Sequence, residues 1–596
     1  MLDFLLWYLT ITFIGLLAFP LVYRLLPGLA DRGYTLSRII GLLIWGYFYW
    51  LFAILGWSAN NQGAIFLSAG VILLASIWSL KGGRAKELWN WFASQRGLVF
   101  TVEIVFLAAF ALMAFIRAAN PEIVATEKPM ELAFINAIRR SPGFPPFDPW
   151  LSGYGISYYY FGYVLIVLMA KLLGTTSGVA FNLGVALIFG LSASGAFGLV
   201  ANLLQGLKPQ IKKAAVLVYG LLGPLFVLIV SNLGGLLEVL HARGILWTQS
   251  DSGQWVSGFW KWLDIQNLSE PPAQPLDWLP NRYLWWWRSS RILTDKDLAA
   301  HTIEIIDEFP FFSFLLADIH PHVLAIPFAM LAMGLGLNVL MGGIQGKMRL
   351  FRTTLDVSPS GLLFAMLGLG SLAFLNTWDF PIYAALFAGA FVLWKAGRFG
   401  WSWRRVGEFF MLVLLIGIGG VCLYLPFFLG FQSQAGGILP NLVNPTRGVF
   451  LWVMFGTLLL PVLAYLLYLG RNWGRQLNFR FGLSAAIILM LALLGFSLLL
   501  GLGIMLLPNL GDLFLQNLAA SSRAEVFQAA FSRRLLQPGG WITLGLLLAF
   551  CLALLRALPQ SDEENIEAAL SHPRLVEQSP HLFAVLLIVI GTLLVL

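Results

Sequence analysis

Charge is scarce in this chain of 596 residues: Asp, Glu, Lys and Arg make up 11% of it, against 59% hydrophobic residues. With mean hydropathy at +0.80, that excludes a soluble globular domain, which needs far more charge to keep its surface in water. Cysteine is rarer still. Cys422 and Cys551 both lie inside apolar runs, so neither a disulfide framework nor a CxxC metal site exists. The first apolar run, Phe4 to Val22, has no basic segment before it and no small-residue cleavage site after it. It is therefore expected as a retained span and not a cleaved signal. Basic residues outnumber acidic ones by 37 to 29, but they are spread over loop ends and form no aromatic-lined groove, which excludes nucleic acid as a partner.

What the chain does have is a succession of long apolar runs separated by short polar breaks. In a bilayer such runs satisfy their backbone as helices, and about 20 residues suffice to cross. Basic residues cluster in six breaks: Arg24/Arg32/Arg38, Lys81/Arg84/Lys86/Arg96, Lys208/Lys212/Lys213, Lys347/Arg349/Arg352, Lys395/Arg398/Arg404/Arg405 and Arg471/Arg475/Arg480. The positive-inside rule makes these cytoplasmic. The expected architecture is all-α: a polytopic integral protein of the cell (plasma) membrane with about thirteen or fourteen transmembrane helices and its N-terminus outside. Spans are predicted near 4–23, 39–57, 64–80, 98–117, 179–204, 214–235, 323–342, 359–378, 380–396, 407–429, 448–469, 482–507, 540–556 and 582–596. The last run reaches Leu596 with no polar anchor after it, a pattern that fits a longer parent chain.

One apolar stretch does not fit this threading. Both Tyr158–Leu173 and Val179–Leu204 read as helices, yet only one can cross if Lys208–Lys213 is cytoplasmic. The shorter is headed by Tyr158, Tyr159, Tyr160 and Tyr163 and ends at Lys171. That dressing predicts a re-entrant or juxtamembrane helix on the outer face. The acidic segment Ser561–Glu567 reads as a solvated cytoplasmic linker.

Polar chemistry gathers in two long external loops, 118–157 and 236–322. In the first, Thr126 could cap a helix with Pro129 in its first turn. Glu127 and Glu131, four apart, would share one face, opposite a stripe of Met130, Phe134, Ala137 and Ile138. A short amphipathic helix lying on the membrane is predicted, followed by a Pro-rich segment that delivers Asp148 and the tyrosines. The second loop carries Trp285–Trp287, Arg288 and Arg291, and closes with Glu308 and Asp318-x-His320-x-His322. Carboxylate and imidazole this close could hold a divalent cation or supply a general base, or could simply cap a helix end. Asp379, in the segment Asn376–Pro381, is a third acid at a span end.

Five segments together resemble the Chlor-Arch-YYY membrane-protein family, named for its triple tyrosine: Glu127–Glu131, Pro145–Trp150, Tyr158–Tyr160, Glu308–His322 and Asn376–Pro381. The resemblance is strongest over 98–400. A wider one links the order of elements from span 98–117 onward to the start of GT-C-fold glycosyltransferases. That order is an acidic amphipathic helix, a Pro-rich segment, an aromatic juxtamembrane helix, the turn Leu173–Gly178 and a long span. It implies a GT-C-like core at 98–430, after a three-span extension at 1–97 and before C-terminal helices at 431–596. Two features depart from the pattern: the three preceding spans, and Glu127 with Glu131 in place of an adjacent acidic pair.

The resemblance implies a transferase moving a sugar from a polyprenyl-phosphate donor in the lipid bilayer to an extracytoplasmic acceptor. Catalytic groups would be Glu127, Glu131, Asp318 and Asp379. Substrate contacts would come from Asp148, Tyr158, Tyr159, Tyr160, Glu308 and His322, with Arg288 and Arg291 on the phosphate. Asp318 and His320 could hold a divalent cation such as Mg or Mn. The alternatives are a non-catalytic membrane scaffold that binds a partner through its tryptophans, and a lipid or polysaccharide transporter. Convergence of three external segments is the geometric expectation, Glu127 and Glu131 from the first, Asp318 and His320 from the second and Asp379 from the third, because packing alone does not require it.

Overall fold

The computed structural model of the protein describes residues 1–281, 285–350, 353–432, 441–473, 477–557 and 573–596. The segment Ser561–Glu567, Arg352 and Arg475 lie outside them. Regular structure among the described residues is helical, apart from three two-stranded antiparallel ribbons in the connections. Among the described residues eleven helices are long and apolar enough to cross a membrane, or twelve if Lys213–Ile229 and Gly234–Ala242 form one broken span. The expected number was higher, and length explains the difference. Pro359–Leu375 and Pro580–Val595, both read as spans from their apolar runs, belong to the shorter apolar helices. The run 214–235 is interrupted: the helix Lys213–Gly220 gives way to π-helical Leu225–Ile229, next to Pro224, which has no N–H to give to an α-helical ladder.

Contacts divide the described residues into two compact units. The first takes them from Met1–Ile229, Ser313–Gln434 and Glu564–Pro580, the second from Val230–Phe312, Ala435–Glu563 and His581–Leu596. In the first, the helix Ser177–Leu207 is buried along most of its length. Lipid tails are as apolar as leucine, so close approach of small residues drives such packing. At Gly198 of this helix the Thr35 side chain leaves no room for a Cβ. The helices Leu2–Leu25, Ser37–Ile54 and Gln62–Ser79, read as an extension, pack within this same unit.

Hydrogen bonds define two ends of the first unit. At one, Gly28 N–H donates to Asn338 Oδ1 and Asp31 N–H to Asn202 Oδ1, each at 2.9 Å, tying the C-terminal ends of three long helices together. At the other, Trp7 donates to Thr175 at 3.1 Å and Arg139 to the Thr175 carbonyl at 2.5 Å. Asn60 is the hub of this second end. Its side-chain amide donates to the carbonyls of Ile138 at 2.6 Å and Ser141 at 2.7 Å, and its backbone N–H to Pro142 at 2.8 Å. Its Oδ1 accepts from Tyr49 and from Lys171.

The tyrosine-headed segment forms the helix Phe161–Leu173. Thirteen residues span about 20 Å, short of a hydrocarbon core of roughly 30 Å. Both ends lie at the Asn60 end of the unit: Tyr160 accepts from Trp50 at 3.2 Å, and Lys171 donates to the Asn60 carbonyl at 2.6 Å. Gly174, at φ 70°, reverses the chain into Ser177–Leu207, a left-handed conformation glycine adopts without Cβ strain. A re-entrant or juxtamembrane helix was expected here, and both ends of this one lie at the same end of the unit, but its body is enclosed by protein. Every residue from Phe161 to Ala170 is buried, because its polar ends find protein partners where a surface helix would find lipid headgroups.

In the second unit the tryptophan-bearing segment is folded around an apolar core of its own. Trp247, Trp260, Leu263, Ile265, Ile292 and Leu293 pack there with Phe450 and Val453.

Candidate functional site

The helix Lys128–Arg140 begins with Glu127 at its N-cap and a proline in its first turn. Thr126, expected as the cap, instead has φ 53°, and Ala125 before it has φ 62°. Consecutive left-handed residues with a Cβ cost about 1–2 kcal/mol each, and a β-branched one is a true outlier. Across the site Ala317 has φ 62° and turns the chain from Pro310–Leu316 toward Pro321–Leu340. Strain thus falls immediately beside Glu127 and immediately before Asp318. Such strain persists only where surrounding structure enforces it, often at functional sites.

The two glutamates do not share an exposed face. Glu131 is buried on the same stripe as Phe134, Ile135 and Ile138, while the Glu127 side chain is 59% exposed. A carboxyl on an apolar stripe carries a heavy desolvation cost, so its surroundings matter. They are His320, Asp318 and the start of Pro321–Leu340. His320 Nε2 lies 2.6 Å from Glu127 Oε2 and 3.1 Å from the Tyr158 hydroxyl. Its Nδ1 lies 3.2 Å from Asp318 Oδ1 and 3.2 Å from Glu131 Oε1. One imidazole therefore meets three carboxylates, drawn from two segments nearly two hundred residues apart. Asp318 Oδ1 also accepts the His320 backbone N–H at 2.7 Å, and Glu131 Oε2 accepts the Ile319 N–H at 3.3 Å.

Nδ1 and Asp318 Oδ1 are aligned for a hydrogen bond. Glu131 Oε1, although close, has no aligned donor among the described residues. The buried Tyr163 hydroxyl likewise lacks a partner among them, and it lies within electrostatic reach of Glu131 and Asp318.

Protonation follows from these contacts. Burial, and then the Asp318 charge and hydrogen bond, push the Glu131 carboxyl well above the usual carboxylate range, against the pull of His320. Burial alone would raise Asp318 too, but hydrogen bonds from His320 and Glu131 outweigh it and hold that carboxyl below the ordinary range. Burial opposes charge on His320, yet Asp318 and Glu131 outweigh it and push the imidazole up to about 10. Near neutrality the arrangement is an imidazolium held by Asp318 and Glu127 with a protonated Glu131 behind it. The N-terminus of Pro321–Leu340 adds favourable potential for anions.

The other expected residues divide. Tyr158 reaches the cluster, but Tyr159 packs at a tilt against Phe431, ring centroids 5.0 Å apart, and Tyr160 is buried against Phe374 and Trp50. One tyrosine of the three belongs to the site. Asp148 is occupied by its own turn, accepting the N–H groups of Trp150 at 2.8 Å and Leu151 at 2.9 Å. Asp379 stands apart, its carboxylate meeting Asn376 and the charge of His322, whose ring centroid is 5.9 Å from that of His320. Arg288, Arg291 and Glu308 belong to the second unit. There Arg291 lies 3.5 Å from Glu308, bonds Ser290 and sits over Trp287.

Sequence reasoning gave no role to Lys128 or Tyr163. Lys128 Nζ donates to the Leu316 carbonyl at 3.2 Å, tying the two site segments together, and burial beside Arg117 lowers its pKa. Its place between Glu127 and Pro129, in the motif already noted, was the available signal.

Residues 44–596 match a family described as Uncharacterized membrane protein (DUF2298). No curated protein and no solved structure matches the chain. A helical polytopic architecture and a match over nearly the whole length agree, and the chain belongs to the DUF2298 family of uncharacterized membrane proteins.

Proposed function

We propose that Glu127, Glu131, Asp318 and His320 form the catalytic centre of a GT-C-type glycosyltransferase, which moves a sugar from a polyprenyl-phosphate donor to an extracytoplasmic acceptor. This reading keeps the resemblance to the triple-tyrosine family and places the cluster on the outer face of the cell membrane. One observation carries it. Glu131 is wholly buried, has an unaligned carboxyl oxygen, and faces an imidazole shared with two further carboxylates. A fold without a use for that arrangement would relieve it with one apolar substitution.

Glu127 is the exposed acid of the set and takes the role of general base. Its carboxylate accepts the proton of the acceptor hydroxyl as that oxygen attacks the anomeric carbon. The bond to the donor phosphate breaks, and the polyprenyl phosphate leaves with the electron pair. His320 orients Glu127, and Asp318 and Glu131 hold His320. A positioned base contributes about 10²–10⁴-fold.

A divalent cation is a second reading, favoured by one feature. Donor atoms of Glu131, Asp318 and His320 all lie within 4.8 Å of one another, and two carboxylates with an imidazole suit Mn or Zn more than Mg. When bound, the ion would supply charge for the leaving phosphate.

The test uses full-length protein in lipid nanodiscs with a panel of polyprenyl-phosphate pentoses and hexoses, reading release of polyprenyl phosphate. Turnover of at least one donor, abolished in Glu127→Gln, is expected. No consumption of any donor, or wild-type rates in both Glu127→Gln and His320→Gln, returns the protein to the scaffold reading.

A further inference from the structure

In the second unit a cavity of about 470 Å³ lies between the helix Phe479–Leu506, the start of Gly539–Ala557 and the C-terminal residues. Its walls are mainly apolar, with Phe496 and Leu500 open on their outer sides. Its polar lining is Asn441, Asn444, Thr446, Ser497, Arg534 and Trp541, of which Arg534 alone carries a positive side-chain charge. Arg534 Nε–H and Trp541 Nε1–H are both buried donors without a hydrogen-bond partner among the described residues. The rest of the Arg534 guanidinium donates only to backbone carbonyls, Leu442 at 2.6 Å, Ala530 at 2.9 Å and Asn441 at 3.2 Å. No carboxylate pairs with it among the described residues. A half-buried guanidinium held by neutral carbonyls remains a cation without a paired carboxylate.

Unmet donors of this kind are rare and call for an acceptor. Two of them lining one cavity, one carried by an uncompensated cation, ask for an anion. The apolar part of the lining asks for a hydrocarbon chain. Phe479–Leu506 and Gly539–Ala557 are both candidate membrane spans, so the solvent beside this cavity is lipid. Trp541 is the third residue of its span and Arg534 lies just before it, the level at which aromatic and basic side chains meet headgroups.

We infer that this cavity is a binding site for an anionic phospholipid, with the headgroup phosphate accepting from Arg534 Nε and Trp541 Nε1 and an acyl chain lying along Phe496 and Leu500. The site lies wholly within the second unit and does not rest on the transferase reading.

The experiment is native mass spectrometry of the full-length protein, delipidated in neutral detergent and titrated with phosphatidylglycerol, phosphatidylcholine or inorganic phosphate. Phosphatidylglycerol is expected to bind about tenfold more tightly than phosphatidylcholine, whose headgroup carries no net charge. Arg534→Gln should remove that preference. Arg534 also holds backbone carbonyls and its loss could unfold the region. Trp541→Phe therefore serves as the second variant, since it keeps the aromatic ring and deletes only the N–H; about a threefold loss of phosphatidylglycerol affinity is expected. Inorganic phosphate should neither bind nor compete at millimolar concentration. Equal binding of the two lipids to wild type, an unchanged phosphatidylglycerol affinity in folded Trp541→Phe, or displacement of lipid by inorganic phosphate would each overturn the assignment.

Discussion

Two of the charge clusters in the first unit are built to opposite plans. One joins Lys395 to Asp356 at 2.7 Å and to Glu408 at 2.9 Å, with Arg405 at 2.8 Å and Arg404 at 3.5 Å from Glu408. Cations outnumber carboxylates there, and both oxygens of Glu408 are occupied. The other sets three carboxylates around a single imidazole and leaves one oxygen of Glu131 unaligned. The first plan pairs every Glu408 oxygen with a cation and leaves over only one donor, the Arg405 Nε–H, without a partner among the described residues, as suits an ion network that holds helices together. The second is short of positive charge and of donors, so it has capacity left for a proton, a cation or a substrate group. Burial and charge are common to both; the state of their completion differs.

Several measurements would break or sharpen that contrast. The largest effect is expected at the incomplete cluster: Glu127→Gln lowers turnover by about 10²–10⁴-fold with little change in melting temperature, since that side chain is mostly exposed. Equal loss of activity and of folded protein would erase the distinction. At the complete cluster the expectation is inverted. Glu408→Gln leaves Lys395 and Arg405 buried without their shared partner and costs about 3–5 kcal/mol, read by thermal unfolding in detergent.

A pH series probes the incomplete cluster directly. His320 is raised from 6.5 to about 10, so its contribution to stability is complete below pH 6.5 and is lost as pH rises through about 10. Wild type should therefore lose stability across that window, and His320→Gln should show a flatter profile. Parallel profiles would place the titration elsewhere. A smaller effect is expected for Glu131→Gln. Removing an acid that burial already keeps protonated should change stability by no more than about 1 kcal/mol, of either sign, while activity falls at least tenfold. A loss comparable with that of Glu408→Gln would show Glu131 to be structural. The smallest effect is expected at Ala317→Gly, where relief of the left-handed backbone should add up to about 1 kcal/mol. A loss of stability there would mean the strain is not real.

Much of the fold was legible from apolar runs, because a bilayer imposes length and composition on every span. Pro359–Leu375 and Pro580–Val595 are shorter apolar helices than their runs suggested, since an apolar run does not say where a helix starts. The pairing of Glu127 and Glu131 with His320 was expected from motifs, but their division of labour was not. Spacing of four put both on one face, and neither residue type says which will be turned inward. That depended on Phe161–Leu173 and Ser177–Leu207, against which Lys128–Arg140 packs. Tyr159 and Tyr160 lie away from the cluster for a similar reason: three adjacent tyrosines at the start of a helix point in three directions. The strain at Ala125, Thr126 and Ala317 had no signal at all, because none of these is a residue type associated with positive φ.

Asn60 carries a consequence for how the chain could be divided. It belongs to the connection between the second and third helices, yet it grips the end of Lys128–Arg140 through Ile138, Ser141 and Pro142, and takes Lys171 besides. The opening hundred residues thus act as a buttress: they hold the far end of the helix whose first turn presents Glu127 and Glu131. A shortened chain starting near residue 98 would retain every acidic group of the cluster and lose the anchor that aims them. The smallest working piece of this protein therefore has to include its first three helices.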